Sequence, residues 1–142
     1  MAALCDVNCL LAICYDRHVH HPAALAWLEQ QDALSVGICR NTQLGLLRLL
    51  TNASVMSGDV CNLKQSWKVY DTLMSDERFV FFVEPIDLEQ HFRRYTASGR
   101  VSPKLWQDAY LAAFARATKL HLVTFDGGFQ QFKGLRLTLL GG

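Results

Sequence analysis

The chain has 142 residues, 51% of them apolar and 19% charged, with a formal net charge of +1. This length suits one domain with a core of its own, and the balance of apolar and charged residues excludes a disordered chain. The small net charge excludes a uniformly basic nucleic-acid binder and an acidic tail, but it leaves a nucleic-acid substrate open, because the field follows where the charges cluster.

Residues 1–5 read as a first strand that runs apolar into Asp6. The run 9–14 begins a helix, residues 16–21 are a polar break, and Pro22 suits the first turn of a helix over 22–31. Residues 34–39 form a second strand. Thr42 is then expected to cap a largely buried helix from 43 to 50, with Arg48 as the polar exception among its leucines. Residues 52–61 read as a loop. An amphipathic helix over 62–75 places Leu63, Trp67, Tyr70 and Met74 on one face. A strand over 79–83 ends at Glu84-Pro85, a helix covers 88–97, and 98–103 is a loop. The Ala- and Leu-rich stretch 104–119 predicts a long helix. An apolar, β-favouring run over 120–125 predicts a strand, broken by Gly127-Gly128. A last strand is expected over 135–140. Strands alternating with helices predict an α/β fold with a parallel, helix-covered sheet, and no linker divides residues 1–142.

The five cysteines, Cys5, Cys9, Cys14, Cys39 and Cys61, are odd in number and form no Cys-x-x-Cys pair. They read as small hydrophobes in a reducing cytoplasm, not as zinc ligands or a disulfide framework. No run reaches the ~18 apolar residues of a membrane span. The early Asp6, with no charged region before it, argues against a signal peptide.

Two acids stand where apolar strand runs stop: Asp6 after residues 1–5 and Asp126 after residues 120–125. In open α/β sheets ligands bind outside the carboxyl ends of the strands, so these two carboxylates are expected to share a site. Read separately, each is a turn aspartate that caps the next helix. Asp108 lies early in the 104–119 helix with Leu111, Ala112 and Ala115 on its side, so its carboxylate falls on or beside the apolar face. It either faces the strand ends or only complements the helix dipole. Three carboxylates in one place stay ionised only beside a cation. Oxygen-only ligands fit magnesium or manganese, not zinc. Such a metal would activate water for in-line attack on a phosphodiester. His18, His20 and His21 fall in a polar loop without a fourth ligand, and no Ser-His-Asp pattern, phosphate-binding glycine loop or dinucleotide fingerprint occurs.

The ordered set Asp6-Val7-Asn8, Thr42-Gln43-Leu44-Gly45-Leu46-Leu47-Arg48, Asp108-Ala109-Tyr110-Leu111-Ala112-Ala113 and Leu122-Val123-Thr124-Phe125-Asp126-Gly127-Gly128-Phe129 resembles the PIN-domain ribonucleases, and more closely the VapC toxins of bacterial toxin–antitoxin pairs. The resemblance implies a three-layer α/β sandwich with a mainly parallel sheet between helices. It also implies a magnesium- or manganese-dependent endoribonuclease, a VapB-type antitoxin as partner, and homodimers. Asp6, Asp108 and Asp126 match the family's metal-holding acids. The sequence departs from the commoner pattern twice: Gln43 and Gly45 stand where many members carry a glutamate, and Gly128 replaces a further acid. Gln43 is then expected to orient a water or contact RNA, with Asn8 and Thr124 supporting the carboxylates. The missing glutamate also motivates an alternative, a PIN-fold binding protein with a degraded, inactive site. A receiver-like domain with an aspartate nucleophile would need a lysine on its late strand, and residues 120–125 have none. The apolar and aromatic helix positions Trp27, Trp67, Tyr70 and Trp106 favour a homodimer. An acidic pocket is also complementary to an arginine from an antitoxin tail.

Overall fold

The computed structural model describes residues 2–141. The expected start of the first strand at Met1 and the closing Gly142 lie outside the described residues. Five short strands form one sheet: β1 (Ala3–Cys5), β2 (Val36–Ile38), β3 (Phe79–Phe81), β4 (His121–Thr124) and β5 (Leu137–Leu139). Their order is β3-β2-β1-β4-β5, and every neighbouring pair is parallel. The helices are α1 (Val7–Cys14), α2 (His21–Glu29), α3 (Arg40–Leu50), α4 (Ala53–Met56), α5 (Leu63–Met74), α6 (Leu88–Tyr95) and α7 (Leu105–Thr118).

Alternation along the strands sends side chains to two cores, because successive residues of a strand point to opposite faces. Ala3, Cys5, Val36, Ile38 and Val123 face one layer, where they meet Leu10, Leu28, Leu46 and Leu73 from α1, α2, α3 and α5. Leu4 and Leu122 face the other, against Leu88 of α6 and Leu111 and Phe114 of α7. The expected three-layer sandwich is present. Small side chains set the spacing of its second core: Ala109, Ala112, Ala113 and Ala115 are fully buried on α7.

Several boundaries differ from the sequence expectation, each for a local reason. α1 begins at Val7, ahead of the apolar run, because the Asp6 carboxylate accepts a hydrogen bond from the Val7 N–H at 2.7 Å and starts the helix there. α3 begins at Arg40 with Cys39 at its N-cap, and Thr42 lies inside the first turn, where its Oγ1 accepts from the Cys39 N–H at 3.0 Å. The segment expected as a loop over 52–61 contains α4, capped by Asn52 through the Ser54 N–H at 2.9 Å, and a 3₁₀ turn over Ser57–Asp59. A second 3₁₀ turn, Gly127–Gln131, follows β4 and helps bury Phe129 and Phe132. One helical turn is too short to leave a periodic pattern in sequence.

The connections place the functional end. The chain steps outward from β1 to β2 to β3 with helices on one face. It then crosses the other face through α6 and α7 and returns beside β1 as β4. The direction of winding therefore reverses between β1 and β4, which is where open α/β sheets leave a crevice at their carboxyl ends. Asp6 follows β1 and Asp126 follows β4, and Cys5 pairs with Val123 in register.

Candidate active site

Asp6, Asp108 and Asp126 line one cleft of about 190 Å³ at this switch point. The strand ends supply two of the acids and the first turn of α7 supplies the third. Asp6 is 7% exposed, and both of its oxygens are engaged: Oδ1 accepts from the Val7 N–H, and Oδ2 accepts from the Thr124 hydroxyl at 2.8 Å. The same Thr124 Oγ1 accepts from the Asp126 N–H at 3.0 Å. Thr124, fully buried, therefore ties the two acidic strand ends to each other. Asp126 Oδ1 accepts from the Gly128 N–H at 2.8 Å, which fixes its rotamer and opens the following turn.

Burial, together with like charge, makes the cleft a poor place for negative charge. Burial pushes the Asp6 carboxyl above its ordinary range, against the pull of Thr124 and Val7, and Asp126 adds to the rise. Asp108 is pushed up to about 6, first by burial and then by Asp6 and Asp126, with Lys104 opposing. Lys104 Nζ stands 3.8 Å from Asp126 Oδ2, mostly in solvent, so it offsets little of this cost. Among the described residues there is no group of three or more His, Cys, Asp or Glu side chains set to hold a metal ion. A hard divalent cation does not need one. Magnesium commonly keeps several waters and binds through one or two carboxylates and a phosphate. An oxygen-only donor set whose charges repel one another fits such an ion.

Of the other residues singled out in sequence, Asn8 lines the cleft from the first turn of α1 and is exposed. Gln43 does not line it. Its side chain is buried under α3, where Oε1 accepts from Arg40 Nη1 and the Tyr70 hydroxyl is hydrogen-bonded to it. α3 turns Gly45 and Arg48 to the cleft instead. A Cβ at position 45 would lie 2.5 Å from Val7 Cγ2, so the glycine lets α3 close on the start of α1 beside Asp6. Sequence reading passed over Lys104 and Gln107 as cleft residues. Lys104 stands one helical turn before Asp108, the spacing at which two side chains share a face. The histidine loop is anchored, not free: the His20 ring stacks on Phe125 at 4.3 Å and 9°.

The sequence matches the PIN domain family over residues 3–135. It is 43% identical to Ribonuclease VapC41 of Mycobacterium tuberculosis over 96% of this chain and 97% of that protein. The chain belongs to the PIN domain family, among its VapC ribonucleases. A second relative of this PIN domain, Ribonuclease VapC29 of M. tuberculosis, is 31% identical over 94% of this chain and 92% of its own length. Among solved structures, the VapBC2 complex of Rickettsia felis, bound to a DNA fragment from its promoter, superposes with a TM-score of 0.70 at 16% identity. The superposition covers 99% of this chain and 100% of that one. At that identity the likeness speaks for the shared fold.

The Thr124 tie gives a direct test within the PIN domain. Thr124→Val keeps the shape and removes the hydroxyl, leaving Asp6 Oδ2 and the Asp126 N–H without their shared partner. Unfolding in urea should show a loss of about 1–3 kcal/mol. Thr124→Ser should recover most of it, and equal midpoints for all three proteins would show that the tie carries no energy.

Proposed function

We propose that this PIN domain, a single unit over residues 1–142, is an endoribonuclease of the VapC toxin kind that cuts RNA phosphodiester bonds with magnesium or manganese. The observation that supports this most is the shared cleft: Asp6, Asp108 and Asp126 line it together at the winding switch, where burial penalises the charge of Asp6 and Asp108. These three carboxylates are the residues that would hold the ion. When bound, the divalent ion supplies Lewis acidity to the phosphate and to an attacking water. Thr124 keeps the Asp6 carboxylate aimed into the cleft and Asp126 at its distance. Arg48 and Lys104 at the rim attract the RNA backbone. Asn8 offers an amide to the substrate at the same rim. Gln43 braces Arg40 and Tyr70 beneath α3, in place of the water-orienting role expected from sequence.

A VapB-type antitoxin is the proposed partner, with an arginine aimed at the acidic cleft. A second copy of the chain is the proposed cover for exposed Trp67 and Leu63 on α5. Among the described residues no helix is long and apolar enough to cross a membrane. The five thiols, all free, fit the cytoplasm.

The test is manganese affinity by calorimetry across pH, alongside cleavage of RNA with and without metal. Asp108 must be ionised to bind a cation, and it takes up a proton as pH falls through about 6. Affinity should therefore weaken markedly from pH 7 to pH 5 and level off above 7. The stability of the metal-free protein runs the other way. A carboxyl raised from 3.8 to about 6 holds its proton longer folded than unfolded, so its contribution falls as pH rises across that window. Manganese should restore the loss at neutral pH. No metal binding at any pH and no cleavage would leave the alternative, a PIN fold that acts only by binding a partner.

A further inference from the structure

Past Asn8 and Leu49 the acidic cleft runs on into a second groove of about 370 Å³, and those two residues line both. The chemistry changes across that wall. Among the described residues no carboxylate lines the second groove, which instead offers the ring of Tyr15, the guanidinium of Arg17, the imidazole of His18 and the aliphatic side chains of Val19 and Val55. Its floor is fixed by the fold. Tyr15 caps the C-terminus of α1, the same helix that begins at Asp6. His18 Nδ1 accepts from the His20 N–H at 3.0 Å, and His20 stacks on Phe125, next to Asp126. Both ends of the groove are therefore tied to the acidic strand ends.

One anion already sits on this surface. Asp59, from the 3₁₀ turn after α4, accepts from the Tyr15 hydroxyl at 2.6 Å through Oδ2, and Arg17 Nη1 is 3.4 Å from the same oxygen. The Arg17 side chain is 75% exposed, so its pairing with Asp59 is screened and easily exchanged. A phenol and a guanidinium converging on one anionic oxygen is also how a phosphate oxygen is held. An aromatic ring beside a cation and apolar walls suits an unstacked base of single-stranded RNA. The volume is in the range of small-ligand sites.

We propose that this groove seats the nucleotide adjacent to the cleaved phosphodiester, with Tyr15 and His18 framing its base and Arg17 taking its phosphate from Asp59. The assignment rests on the reading of the acidic cleft as an RNA-cleaving site. Asp59 then acts as an internal competitor that a correctly placed RNA strand displaces.

The two readings separate in one set of measurements on the full chain. Binding of a fluorescent single-stranded RNA is measured against salt on the cleavage-deficient Asp6→Asn background, and steady-state cleavage is measured on the parent. Arg17→Ala should weaken RNA binding about tenfold and reduce the slope of log affinity against log salt by about 0.7, the loss of one phosphate contact on a single strand. In cleavage it should raise KM by a similar factor and leave kcat within about twofold. Asp59→Asn should lower KM. A merely structural Arg17–Asp59 pair would instead move both variants in the same direction. Cleavage by the parent with KM and salt slope unchanged in Arg17→Ala would overturn the groove assignment and leave the cleft assignment standing. An Arg17→Ala effect on antitoxin inhibition alone would assign the groove to the partner protein and overturn the nucleotide site. If the parent cleaves no RNA, the cleft reading falls, and with it the inference built on it.

Discussion

Asp6→Asn should lower RNA cleavage at least ~100-fold, the scale of losing one electrostatic support of a transition state. It should do so without unfolding the protein. The native carboxylate is 7% exposed and its charge is opposed by burial and by Asp126. The neutral amide has the same shape, can still accept from the Val7 N–H and can donate to Thr124 Oγ1. The folded state gives up a charge that the cleft disfavours, so the unfolding midpoint in urea should stay within about 1 kcal/mol of the parent or rise. Activity and stability thus move apart, and that separation marks a functional carboxylate. Full cleavage in Asp6→Asn with unchanged manganese dependence would remove Asp6 from the site. Equal loss of activity and stability would make it a structural cap of α1.

The largest expected stability effect lies at Phe114. Its ring is 1% exposed and fills the second core between α7 and the strands carrying Leu4 and Leu122, with Tyr110 one turn away at 6.2 Å between ring centroids. Phe114→Ala deletes the ring from a core where its chain neighbours Ala112, Ala113 and Ala115 are fully buried and too small to fill the space. The cost should be about 3–5 kcal/mol. By calorimetry this appears as a fall in Tm on the order of 10 °C for a chain of this length. Phe114→Leu should cost much less, since it retains most of the buried volume. A loss under about 1 kcal/mol in Phe114→Ala would mean that α7 is not held to the sheet by this ring. Asp108 rides on the same helix, so cleavage should weaken in Phe114→Ala even at temperatures where the protein remains folded.

The sheet and the acids were readable in sequence for one physical reason: a buried parallel strand is a short apolar run, and an aspartate that ends such a run is conspicuous. Asp6 and Asp126 were legible that way, and their adjacency followed from topology. The start of α1 was not, because its apolar run begins at Cys9 and hides the cap three residues earlier that Asp6 provides. Gln43 was expected to reach a water or RNA but lies outside the cleft lining, and its spacing pointed that way. It lies three and seven residues before Leu46 and Leu50, both buried, so it belongs to the inward face of α3. Gly45 and Arg48, three apart on another face, were the positions to watch. The role of Gly45 depends on how closely α3 approaches Val7, a distance no single sequence states. The groove beyond Asn8 joins segments far apart in the chain, Tyr15 and Val55 among them, and had no local signature.

The Thr124–Asp6 bond joins residues 118 positions apart. That separation has a consequence in time as well as in space. A ribosome adding about 5–20 residues per second makes Asp6 roughly 6–24 s before it makes Thr124. Throughout that interval the nascent chain carries the Asp6 strand end without the β4 end that Thr124 ties to it. A cleft built from residues so far apart in the chain cannot assemble before β4 is made, so on the proposed reading a chain that stops short of β4 would lack it. The order in which the sheet is written thus sets when the cleft can first exist.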